Sequence, residues 1–143
     1  MKILSRTLTV LGLCLITQCT TSKEGVNQLD PVKATAVVKA TVPSAVRIGI
    51  SKEPKSERYF LLAATTIDLF AFGNDLAPDA LTKALDSIGN EILKTVEARA
   101  VVDSVQALYV AFYADIVKQK LDERNLIPVL QAMADAIRKG AAD

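Results

Sequence analysis

The side chains of this chain with chemistry to offer are two cysteines, Cys14 and Cys19, a scatter of carboxylates and three tyrosines; histidine and tryptophan are absent. Without an imidazole, neither a Ser-His-Asp relay nor a Cys-His pair can be assembled from the chain itself. A zinc site would need carboxylates alone, against the metal's preference for sulfur and nitrogen ligands. The glycines stand singly, so no phosphate-cradling loop is present, and no Asp-x-Asp-x-Asp-Gly calcium loop occurs. No cofactor and no metal is therefore expected, and the chain is read as non-enzymatic.

The remaining groups are weighed one by one. Asp68 falls in an apolar stretch, where burial would raise its pKa, although an outward orientation beside Thr65 is the simpler expectation. Asp115 lies three residues before Lys118 and four before Gln119, and Arg99 lies four before Asp103. Both spacings fit ordinary surface pairs on a helix. Tyr109, Phe112 and Tyr113 share one helical face. Such a row usually fills the edge of a core with its hydroxyls reaching solvent, and otherwise forms a surface for a partner or ligand.

Both cysteines lie in the first 19 residues. Lys2 and Arg6 form a positive start, and Thr7 to Ile16 form an apolar run of ten residues. That run suits a signal peptide and is too short for a spanning helix, which needs about 20 residues. Residues 1–18 are therefore read as a signal peptide. The segment Leu15-Ile16-Thr17-Gln18-Cys19 resembles a bacterial lipobox, with Gln18 standing where a small residue usually precedes the cysteine. The resemblance implies that Cys19 is diacylated and begins the mature chain. It also implies a lipid anchor in the cell envelope and, with Thr20 following the cysteine, an outer-membrane address facing the periplasm. Cleavage by the ordinary signal peptidase between Cys19 and Ser22, releasing a secreted or free periplasmic protein, is the alternative. Residues 19–30 then comprise the lipidated Cys and a polar, aperiodic tether.

Removing Lys2 and Arg6 from the 17 basic residues leaves 15 against 16 acidic ones. A charge so close to balance offers no electrostatic footing for nucleic acid. The cluster Arg47, Lys52, Lys55 and Arg58 is interrupted by Glu53 and Glu57 and is read as a solvated loop. Half of the chain is hydrophobic, enough for one modest core in residues 31–143.

The elements that must position these groups follow from proline and glycine punctuation. Asp30-Pro31 is a helix start, with a capping carboxylate and proline at the first position. The apolar residues of 32–42 recur at every second position, so helix and strand both stay open there. Pro43 is expected to begin a separate short segment to Ile50. Pro54 opens a helix ending at Gly73, with Phe60, Ala63, Ala64, Ile67, Phe70 and Ala71 as its stripe. Pro78 opens a shorter helix to Ile88, stopped by Gly89. Residues 91–121 form the longest periodic stretch and, being apolar nearly all round, are expected at the centre. The last helix, from about Leu126 to Arg138, has the seam Leu126, Leu130, Met133 and Ile137 and is stopped by Gly140. The fold class is all-α, a single compact bundle of five or six helices after the signal peptide and tether.

The functional expectation is an exported, lipid-anchored helical protein of the bacterial cell envelope with a structural or protein-interaction role. Its partners would be the membrane, through the N-terminal lipid anchor, and another envelope protein. A binding protein for a lipid or other apolar ligand, held in a cavity beneath Tyr109, Phe112 and Tyr113, is the second reading. A carboxylate-based hydrolase is the third, and it requires two carboxyl groups about 5–9.5 Å apart in a cleft.

Overall fold

A computed structural model describes residues 30–142. The signal peptide, Cys19 and the tether over residues 1–29 lie outside the described residues. The described chain folds into α1 (Pro31–Lys52), α2 (Ser56–Ala71), α3 (Pro78–Ile92), α4 (Val96–Lys118) and α5 (Ile127–Ala142), with a short 3-10 turn at Glu123–Leu126. No strand occurs among the described residues, and the all-α class is as the sequence predicts.

The ambiguous segment after Pro31 is helical. The Asp30 side chain accepts a hydrogen bond from the Val32 N–H at 2.9 Å, satisfying one of the donors a helix start leaves open. Ala34, Val38, Val42 and Val46 are buried at a spacing of four, so the helical row, not the alternating one, faces the core. Pro43 does not begin a new segment: α1 runs unbroken through it to Lys52. An interior proline removes an N–H and costs about 3 kcal/mol in helix propensity. Tertiary packing offsets that cost here, because Pro43 is buried against the C-terminal turns of α5.

The central helix is α5, not α4. Half of its sixteen residues are buried, and it packs chiefly on α1 and α2. Its seam Leu126, Leu130, Met133 and Ile137 is at most 2% exposed. By length and composition α4 could cross a membrane, but only one of its faces enters the core, through Ala98, Val101, Val105, Tyr109, Phe112 and Ile116. Leu93, expected to lead this helix, precedes it as a buried joint residue.

Three glycines read as helix stops have other duties. Gly89 and Gly140 lie inside α3 and α5, and Gly73 does not take the left-handed conformation of a C-terminal cap. Gly140 permits contact between backbones: a Cβ there would stand 2.6 Å from the Pro43 carbonyl oxygen and 2.8 Å from Val46 Cβ. Gly49 of α1 makes room for the Phe60 ring, since a Cβ there would crowd Cε2 and Cζ of the ring at 3.1 Å. The left-handed cap belongs to Lys120, whose φ is 54°. Around it Leu121 N–H donates to the Ile116 carbonyl and Lys120 N–H to the Val117 carbonyl, the paired bonds of a Schellman ending.

These placements set two opposite expectations for urea unfolding. Gly140→Ala gains helix propensity but must push two helix backbones apart, so it is expected to lower stability by about 1–3 kcal/mol. Lys120→Gly relieves a side chain from a left-handed backbone and is expected to raise stability by about 0.5–1 kcal/mol. An unchanged or higher midpoint for Gly140→Ala would contradict the close α1–α5 contact.

Candidate functional site

The most highly bonded side chain in the fold is one the sequence hides in a loop. Glu53 follows α1 and is only 8% exposed, so it does not belong to a solvated basic loop. Its N–H closes α1 on the Gly49 carbonyl, and its own carbonyl accepts from the Ser56 N–H at 2.9 Å and the Ser56 hydroxyl at 2.6 Å. Its carboxylate crosses to the start of α4, where it accepts from the N–H of Lys94 and Thr95 and from the Thr95 hydroxyl at 2.9 Å. Thr95 Oγ1 in turn accepts from the Ala98 N–H and caps α4. The periodic stretch 91–121 is therefore broken at 93–95. Burial pushes the Glu53 carboxyl up, but hydrogen bonds from Thr95 and Lys94 outweigh it and hold the carboxyl below its ordinary value.

Beside this joint lies a small cleft between α2, α3 and α4, with a volume of about 110 Å3. Tyr59, Gly89, Asp86, Asp103, Arg99 and Val102 line it. Tyr59 is fully buried, and its hydroxyl finds no hydrogen-bond partner. Burial, then the nearby charges of Asp86 and Asp103, push its pKa far up, so the phenol stays protonated. Gly89 packs against the ring, where a Cβ would stand in ordinary van der Waals contact with Tyr59 Cε2 at 3.4 Å. Asp86 is steadied by Gln106, whose Nε2 donates to Oδ1 at 3.2 Å. Arg99 was expected to pair with Asp103; its Nη2 instead donates to the Leu93 carbonyl at 3.1 Å, tying down the end of α3.

The row Tyr109, Phe112 and Tyr113 is split by the fold. Tyr109 is buried and donates its hydroxyl to the Leu76 carbonyl at 2.7 Å, with its ring edge-on to Phe70. Phe112 is 9% exposed and belongs to the core. Tyr113 alone is half-buried, donating to Glu123 Oε1 at 3.0 Å. That bond, then burial, raises its pKa. Neither of the two best-formed cavities touches this row; the second is about 10 Å3 and is lined by core residues such as Phe60 and Ile67.

Asp68, Asp103 and Asp115 are also dispersed, although Asp103 shares its cleft with Asp86. Asp68 is half-buried and bonded to Arg138 of α5, so neither side chain simply faces solvent. Arg138 also reaches Asp135 at 3.5 Å. Asp115 is exposed, and it stands twelve residues along α4 from Asp103, about 18 Å at the helical rise. Among the described residues no group of three or more Asp, Glu, His or Cys could hold a metal ion. No family model, no curated protein and no solved structure matches this chain.

The sequence reading missed Glu53 and Tyr59. Glu53 carries one signal, an acid directly before a proline at a helix junction, but the N–H groups that donate to it lie 41 and 42 residues away. Because the folded carboxyl is held below its unfolded value, its stabilisation is fully present above the ordinary glutamate range and is lost as pH falls through the folded value. Glu53→Gln is expected to lower stability at neutral pH by about 1–3 kcal/mol and to flatten the dependence between about pH 5 and pH 3. Unfolding curves at several pH values check this; parallel acid profiles for the two proteins would refute it.

Proposed function

We propose that this chain is an exported, lipid-anchored helical protein of the bacterial cell envelope whose domain docks a protein partner. The lipobox-like Leu15 to Cys19 supports the anchor, with the membrane as first partner. The reading places the protein at the outer membrane, facing the periplasm.

One observation carries the docking role. Leu61, Leu62, Leu69 and Phe72 are 43, 41, 69 and 77% exposed, and at 100° per residue all four fall on the side of α2 opposite its buried row. Scattered exposed hydrophobics need no explanation, but four large ones on one side of a helix, flanking the exposed Thr65, make that side unusually apolar. An amphipathic helix of a partner could lay its apolar face there. A store for an apolar ligand has less support, since its cavity would need about 300 Å3 or more.

Metabolic labelling with a fatty-acid analogue is expected to mark the full-length chain and to fail for Cys19→Ala, which should leave the envelope membrane fraction. Labelling that persists in Cys19→Ala would remove the anchor. A photo-crosslinker at Leu69 is expected to give one discrete protein adduct in intact envelopes. The same probe at Ser44, exposed on α1, should give none. Adducts to lipid alone would replace the protein partner with the bilayer surface.

A further inference from the structure

We propose that the cleft beneath Tyr59 is a binding site for a small primary ammonium compound. The site offers three oxygen-bearing side chains from three helices: the Tyr59 hydroxyl from α2, the Asp86 carboxylate from α3 and the Asp103 carboxylate from α4. A primary ammonium carries three N–H donors on one nitrogen, one for each of these acceptors. Two carboxylates and the Arg99 guanidinium leave the cleft with a net charge of −1, which favours a cation over an anion. The buried, unpartnered Tyr59 hydroxyl is the second observation that points to an occupant. Leaving a buried hydroxyl unmatched is costly, so a fold keeping tyrosine there instead of phenylalanine bears a cost that a ligand would remove.

Competing chemistries fit less well. A divalent metal takes six or more oxygen ligands or several carboxylates, and among the described residues no such group exists. A quaternary ammonium is held by aromatic faces around it, whereas one ring lines this cleft. The volume of about 110 Å3 admits a few heavy atoms and excludes an acyl chain. Arg99, held by the Leu93 carbonyl through Nη2, carries further N–H groups at the rim that suit an anionic neighbour of the ammonium. Free ethanolamine and the ethanolamine headgroup of a phospholipid share this chemistry.

The test is amide NMR on the full-length chain in detergent, following Gly89 and Asp103. Saturable shifts with ethanolamine, half-complete on the order of 1–10 mM for so small a ligand, support a free amine. Shifts seen only with micelles containing phosphatidylethanolamine support the headgroup. Asp86→Asn and Asp103→Asn, both at exposed positions, should fold normally and weaken binding by about tenfold, the loss of one charge-assisted bond. Tyr59→Phe should weaken binding several-fold while melting no lower than the parent, which separates binding from folding. The proposal is overturned if neither ligand source gives saturable shifts, if tetramethylammonium shifts the same amides equally, or if the Asp variants bind as well as the parent.

Discussion

The Glu53 carboxylate is the constraint on which the arrangement of helices depends. It is a buried anion bonded to the ends of three helices at once: through its backbone it ends α1 and starts α2, and through its side chain it starts α4. Removing a carboxylate from water is costly unless every lone pair finds a donor. Here the donors are the backbone N–H groups that a helix start must leave open, so one contact satisfies two deficits. The same joint positions Leu93, whose carbonyl holds Arg99, and so shapes one wall of the adjoining cleft.

Close approach is the second constraint. With small residues at the crossings, the α5 backbone nearly touches α1 at Gly140 and Pro43, and α1 receives the Phe60 ring at Gly49. Dense contact of this kind lets the many alanines and valines of the core contribute beside its larger leucine and aromatic side chains, because dispersion depends on how many atoms come into range. The Asp68–Arg138 pair ties α2 to the same end of α5, at partial exposure where an ion pair orients more than it stabilises.

Against this packed interior, two features stand out as unfinished. The outer face of α2 carries leucine and phenylalanine where a solitary domain would carry charge. The Tyr59 hydroxyl is enclosed without a partner, in a cleft bordered by opposite charges. Neither helps the isolated domain fold, and these two features are the grounds for the docking and binding roles proposed above.

Helical class, four of the five helix starts and the inward rows of α2 and α5 were legible in the sequence, because they depend on local periodicity and on proline and capping residues. The charged start, the apolar run and Cys19 are likewise sequence features, and the proposed address rests on them alone. The excluded chemistries followed from residue types that are absent, which no fold can supply. Tertiary structure alone decided which helix is central, that α1 passes through Pro43, that glycines 89 and 140 lie inside helices instead of ending them, that Glu53 reaches Lys94 and Thr95, and that Tyr59, Asp86 and Asp103 line one cleft. Those outcomes rest on contacts between residues tens of positions apart, and one-dimensional spacing carries no record of how closely two backbones approach.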